Sequence, residues 1–167
     1  MEKANRIPND AMILGLLMIV SNRMDTLLER ELKEFGVTAK QWFLSETIHS
    51  LFSLPPTLKE VAGAMGSSHQ NVKQVALLLE RKGLLSLVKD KRDARVTRLV
   101  LTERSRDFWM KTDPKGTEFR NKVFKDINPD DLAKARQVFE KMQSNLAEIE
   151  MASVETEEPD ETPTRCE

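Results

Sequence analysis

The stretch Ser67–Glu103, SSHQNVKQVALLLERKGLLSLVKDKRDARVTRLVLTE, decides how the chain folds, because its apolar period changes at Gly83. Before that glycine, Val72, Val75, Ala76 and Leu79 recur at steps of three and four, the spacing of one face of a helix. After it, Leu85, Leu87 and Lys89 alternate with Leu84, Ser86 and Val88; Asp90–Arg95 interrupts, and the β-branched-rich run Val96–Leu101 follows. The pattern predicts a helix over 68–82 and then two antiparallel strands joined by a charged loop. Just upstream, Leu58, Val61, Ala62 and Met65 predict a helix over 58–65, separated from the next only by Gly66-Ser67. Two short helices across a tight Gly-containing turn form a helix-turn-helix, and a hairpin directly behind one is a wing. Small Ala62 beside Gly66 is expected to let the two backbones approach closely.

Capping signals place the neighbouring elements. Thr38-Ala39-Lys40-Gln41 and Thr57-Leu58-Lys59-Glu60 have the S/T-x-x-E/Q form, in which each side chain satisfies the other residue's exposed backbone N–H. Ser67-Ser68-His69-Gln70 is a third candidate box. The first predicts a helix over 39–52, with Val37 and Trp42 as its hydrophobic staple. Ile13, Leu17, Val20, Met24, Leu27, Leu28, Leu32 and Phe35 predict one amphipathic helix over about 10–35, ended by Gly36 in the left-handed conformation. Thr102 opens another helical stretch carrying Phe108, Trp109, Phe119, Val123 and Phe124, in which Pro114–Gly116 marks a kink or break. Asn128-Pro129-Asp130-Asp131 offers an N-cap, a proline at the first position and acids in the first turn of a last helix to about 150. The expected fold is mainly α with one small β-hairpin. Residues 1–37 form an N-terminal arm and helix, 38–102 a winged helix-turn-helix, 103–150 C-terminal helices, and 151–167 a disordered acidic tail.

The chain has 167 residues with 26 Lys+Arg against 27 Asp+Glu, a net charge of −1. That balance hides a division. Residues 148–167 hold eight acidic residues and one basic, for −7, which leaves +6 on the rest. Positions 73–125 hold fifteen basic and seven acidic residues, for +8. A basic middle beside an acidic tail points toward a polyanionic partner. The single cysteine, Cys166, forms no internal disulfide and fits a reducing, cytoplasmic setting. Two histidines, His49 and His69, do not make a metal site, and no cofactor is expected. There is no Ser/His/Asp array, no phosphate-cradling glycine loop and no thiol nucleophile in the part that should fold, so the chain does not read as an enzyme. The longest apolar run, Ala11–Val20, is ten residues, too short to span a bilayer, and lacks a small-x-small cleavage site behind it. No membrane segment and no export signal are expected.

The order helix, helix, helix-turn-helix, hairpin, two long helices resembles the MarR family of winged-helix transcription regulators over about 10–150. The most specific pieces are LERKGLL (Leu79–Leu85), DKRDAR (Asp90–Arg95) and VLTE (Val100–Glu103). The resemblance implies a homodimer, most often a repressor, that reads a pseudo-palindrome in double-stranded DNA. The 68–82 helix would enter the major groove and each wing tip, 90–95, a neighbouring minor groove. Ser68, Gln70, Asn71, Lys73 and Gln74 lie on the exposed N-terminal part of that helix, where amides and hydroxyls reach base edges or phosphates. In the wing, Lys91, Arg92, Asp93, Arg95 and Arg98 are the candidates. Matched to the family's D-x-R motif, Asp93 would orient Arg95 into the minor groove, whose narrow, negative floor suits a guanidinium. Lys40, Lys59 and Lys89 are candidate backbone contacts. The apolar stripes of 10–35 and 129–150 exceed what a small winged helix buries, which suits dimer helices.

The resemblance also implies a small aromatic or anionic effector. Arg23, Met24, Trp42, His49 and Phe108 are candidates to line its crevice, and each is also an ordinary core or surface residue. The chain has no tyrosine, so a phenol-lined pocket is excluded. Two departures stand out: the family's usual glycine is Ser105 here, and Pro114–Gly116 falls where the family often has a continuous helix. The alternative reading is a winged-helix protein-interaction adaptor without specific DNA binding.

Overall fold

A computed structural model describes residues 7–156, so Cys166 and the acidic tail from 157 onward lie outside the described residues. The element order is α1 (Asn9–Leu32), a 3-10 turn (Lys33–Phe35), α2 (Ala39–Leu51), α3 (Leu58–Ala64), α4 (His69–Arg81), β1 (Leu85–Lys89), β2 (Thr97–Leu101), α5 (Glu103–Val123) and α6 (Pro129–Thr156). The chain divides after Asn121 into two units.

In the first unit the predicted caps form. Thr38 Oγ1 accepts from the Gln41 N–H at 3.2 Å while Gln41 Oε1 accepts from the Thr38 N–H at 3.3 Å, closing the box that opens α2. Thr57 and Glu60 repeat the reciprocal pair at the start of α3. The third box does not form: Ser68, not Ser67, caps α4, accepting from the Asn71 N–H at 3.2 Å. Ser67 is drawn instead into the end of α3, where its N–H donates to Ala62 C=O at 2.9 Å and the Gly66 N–H donates to Gly63 C=O at 3.2 Å. These two bonds are the Schellman pattern, and Gly66 adopts the φ of +57° that it needs. A Cβ on Gly66 would meet nothing within 4 Å, so backbone conformation, not the expected close approach of two helices, requires a glycine there. Gly66→Ala is therefore expected to cost about 1 kcal/mol through the left-handed backbone alone, read as a lower midpoint in chemical denaturation.

The core gathers Leu32, Val37, Leu44 and Ile48 with Leu58 and Val61 of α3, Val72, Ala76 and Leu79 of α4, and Leu84, Leu85 and Leu99 of the hairpin. The 3.6-residue stripe of α4 and the alternation of the strands thus close on one apolar centre. β1 pairs with β2 antiparallel, Leu85 opposite Leu101 and Lys89 opposite Thr97. Pro55-Pro56 does more than break the chain. Pro56 C=O accepts from the Leu99 N–H at 2.8 Å and Thr57 bridges Arg98, so this segment lies along β2 like a third strand.

α5 runs from Glu103 to Val123 through Pro114 and Gly116, so the proline does not end the helix. The proline removes one hydrogen bond to Met110 C=O, at a residue that lies on the exposed side of the helix. Ser105 is fully buried near the start of this helix, its N–H bonded to Thr102 Oγ1 at 3.1 Å. The family's glycine position is therefore a core position here.

In the second unit, Asn128 Oδ1 accepts from the Asp130 N–H at 2.8 Å and Pro129 opens α6, as the sequence predicts. α6 continues to Thr156, past the expected end near 150. Val138, Phe139, Leu146 and Ile149 are exposed along it. α1 likewise exposes Leu14, Leu16, Met18, Ile19 and Val20. By length and composition α1 with its 3-10 turn is also long and apolar enough to cross a bilayer, which the ten-residue run alone did not indicate. Asp10, Arg23, Asp25, Glu29, Arg30, Glu31, Lys33 and Glu34 fall inside that stretch.

Candidate nucleic-acid interface

Two features of the first unit present polar and cationic groups outward. The first is the N-terminal half of α4. Val72, Ala76 and Leu79 sink into the core with 2%, 0% and 0% exposure and fix the rotation of the helix. That leaves Gln70, Asn71, Lys73 and Gln74 exposed on the other side, together with Ser68 and His69. Ser68 uses one acceptor site as the cap, so its hydroxyl keeps its donor and a second acceptor site for an outside group. The carboxamides of Gln70, Asn71 and Gln74 and the ammonium of Lys73 are where a groove-reading surface needs them.

The second feature is the wing loop. Asp93 Oδ1 accepts from the Arg95 backbone N–H at 2.9 Å and from its Nε at 3.2 Å, and Oδ2 accepts from a terminal nitrogen at 3.4 Å. The carboxylate so grips the guanidinium plane while leaving the Arg95 side chain 91% exposed. The backbone N–H of Arg95, and then its guanidinium, hold the Asp93 carboxyl below its ordinary value. Lys91 and Arg92 are also exposed.

Arg98 behaves differently. Its Nε donates to Asp90 Oδ2 and its Nη1 to Pro55 C=O at 2.8 Å, tying the wing to the α2–α3 connection. Of the wing candidates it is the one turned inward. Asp90, absent from the candidates read in the sequence, is the hub of the loop. Its Oδ1 accepts from the backbone N–H of Arg92 at 2.8 Å and of Asp93 at 3.1 Å. An Asp that caps its own following residues is a recognisable turn signal. Its pairing with Arg98, and Arg98 with Pro55 forty-three residues away, has no local signal.

Arg98 first, and then the Arg92 and Asp93 N–H groups, hold the Asp90 carboxyl down to about 2. A carboxyl lowered on folding favours the folded wing at all pH above its ordinary value of 3.8, and that contribution is lost as pH falls through about 2. A carbon-detected titration is expected to show Asp90 ionising near 2, with the wing intact from neutral pH down to about 4. A midpoint near 4 would remove the tie.

The five effector candidates lie on three helices, α1, α2 and α5. Arg23 and Met24 are exposed on α1, His49 is exposed on α2, and Trp42 packs half-buried on the core. Phe108 alone lines a cleft of about 510 Å3, with Phe35, Val37, Arg81, Lys82 and Arg104. Its ring meets Phe35 edge-on at 6.4 Å, and Lys82 Nζ donates to Gly36 C=O and, at 2.8 Å, to Gln41 Oε1. Among the described residues no group of three or more His, Cys, Asp or Glu is placed to hold a metal.

No model of a known protein family matches the chain. Solved structures do. AbsC, a MarR family transcriptional regulator from Streptomyces coelicolor, superposes with a TM-score of 0.72 at 19% identity, over 84% of this chain and 97% of that one. A MarR family regulator from Rhodococcus sp. RHA1 gives 0.70 at 17% identity, over 83% and 97%. BpsR from Bordetella bronchiseptica, whose DNA binding is regulated by 6-hydroxynicotinic acid, gives 0.67 at 20% identity, over 77% and 90%. The chain has the winged-helix fold of the MarR regulators, the fold that the Ser67–Glu103 pattern led us to expect.

Proposed function

We propose that this chain is a homodimeric, cytoplasmic transcription regulator, acting as a repressor, that binds double-stranded DNA in a sequence-specific way and catalyses no reaction. One observation carries the reading: Asp93 grips Arg95 from one side and leaves its side chain 91% exposed at the wing tip, beside a helix whose polar half faces outward. A hairpin tip serving only to close a turn gains nothing from an oriented, solvent-facing guanidinium. A minor groove does.

In this reading residues 38–102 bind DNA, with Gln70, Asn71, Lys73 and Gln74 of α4 in the major groove and Arg92 and Arg95 in the minor groove. The exposed apolar side chains of α1 and α6 are covered by a second copy, whose two-fold symmetry the pseudo-palindromic operator mirrors. An effector, of which BpsR is the precedent, would sit in the cleft of Phe35, Arg81, Arg104 and Phe108. Its size suits a small ligand, and a lining that combines two phenylalanines with Arg81, Lys82 and Arg104 suits an aromatic anion.

The test is a salt titration with operator fragments selected by the purified protein from the source genome. Log K is expected to fall linearly with log salt, at about −0.9 per neutralised phosphate. Absence of DNA binding at low salt, with recovery of a stable protein partner, would favour the adaptor reading instead.

A further inference from the structure

We infer that Arg98 is a positioning residue, which pins the wing to the Pro55–Thr57 segment and so sets the direction in which Arg92 and Arg95 are presented. The consequence for DNA rests on the function proposed above; the tie itself does not.

Arg98 is 38% exposed and its partner Asp90 14%, against 91% for Arg95. Its guanidinium is committed twice, to the wing hub Asp90 and to Pro55 C=O. Its backbone bridges Thr57, and the next residue, Leu99, donates to Pro56 C=O at 2.8 Å. Glu60, which caps α3 through Thr57, adds a favourable charge nearby. Asp90 in turn organises the loop that bears the free cations, through the Arg92 and Asp93 N–H groups and through its own N–H, which donates to Val96 C=O at 3.0 Å. A single chain of contacts thus runs from the start of α3, through Arg98 and Asp90, to the residues on either side of Arg95. The rival role is a direct phosphate contact by Arg98, and the two roles make opposite demands on Asp90.

Asp90→Asn keeps an Oδ1 acceptor for the two backbone N–H groups and removes the charge that holds Arg98. If Arg98 contacts phosphate directly, this variant frees it and deletes a negative charge facing DNA, so binding tightens. If Arg98 positions the wing, binding to the specific site weakens, by about tenfold, although the protein has become less negative. Arg98→Gln is expected to weaken it similarly, and the double variant little further, since both substitutions break one contact. Arg98→Lys is expected to recover part of the loss, because an ammonium can still meet Asp90 but cannot also span to Pro55. For Asp90→Asn the salt dependence should keep the wild-type slope, whereas Arg92→Ala/Arg95→Ala should flatten it. Binding by Asp90→Asn at or above wild-type affinity overturns the inference.

Hydrogen exchange at the Leu99 amide in free protein provides a readout that needs no DNA. Faster exchange at Leu99 than at the core amides of Leu44 and Leu79 in both Asp90→Asn and Arg98→Gln supports the tie; wild-type protection in either variant, or acceleration no greater than at those core amides, overturns it. If the wild-type protein binds no DNA at all, the proposed function falls and the exchange experiment still decides the tie.

Discussion

Replacing Arg92 and Arg95 together by alanine is expected to abolish specific DNA binding and leave the fold and the dimer untouched. Neither side chain supports the core: the Arg95 side chain is 91% exposed, and its one partner, Asp93, lies two residues away. Surface substitutions of this kind usually move stability by less than about 0.5 kcal/mol. The effect on binding should be far larger. A guanidinium seated in a narrow minor groove meets concentrated negative potential and displaces condensed counterions. Loss of two such groups per wing is expected to weaken the specific site by at least about a hundredfold, with the salt slope flattened by about two per protomer. Fluorescence anisotropy at several salt concentrations measures both quantities, and sedimentation tests whether the double variant keeps the wild-type mass. Wild-type affinity in the double variant would show that the wing does not touch DNA.

The second large effect concerns assembly. Leu17→Glu on α1 and Leu146→Glu on α6 are each expected to convert a dimer into a monomer. The wild-type side chains are exposed, 39% for Leu17 and 58% for Leu146, so glutamate costs the isolated protomer little. In an interface between like copies the same change buries the charge twice, once from each copy, and an unpaired carboxylate in an apolar contact is not tolerated. With the dimer gone, each winged helix binds its half-site alone, and operator affinity should fall by about 10²–10⁴ through lost avidity. Analytical ultracentrifugation reads the mass. A wild-type protein that sediments as a monomer would refute the dimer. One that pellets with lipid vesicles and is released by Leu17→Glu would make α1 a membrane anchor, the role that its length and hydropathy also permit.

The legibility of the fold followed the range of the interactions involved. α2, α3 and their caps are readable because a Thr and the Gln or Glu three residues on satisfy one another, a contact that spacing alone dictates; that Lys82 also donates to the Gln41 oxygen is a tertiary addition. The cap of α4 moved by one residue because the Schellman bonds at the end of α3 claimed Ser67 for the turn, a competition between two local motifs that share a residue. Pro114 was readable as a helix breaker, but its effect depends on whether the carbonyl it frees meets water, which depends on burial.

For the candidate site the division is the same. The Asp93–Arg95 grip spans two residues and was visible as a motif. Arg98 looked like one more exposed cation among Lys91, Arg92 and Arg95, because the alternation of a strand says which face a residue takes and not what lies across from it. Phe108 was grouped with residues of α1 and α2, and its neighbours in the cleft, Phe35 and Arg104, were not suspected.

By itself, then, the sequence determined the period change at Gly83, the capping boxes of α2 and α3 and the basic balance of the middle of the chain, while the oriented arginine of the wing came from the family resemblance. The period and the boxes depend on neighbours within a turn or a hairpin, where spacing dictates contact. The tertiary structure decided that Pro55-Pro56 lies along β2, that Arg98 holds the wing instead of joining its exposed cations, and that α5 passes through Pro114. Those outcomes turn on which groups far apart in sequence come to share a hydrogen bond and which are left to water, and no local pattern records that choice.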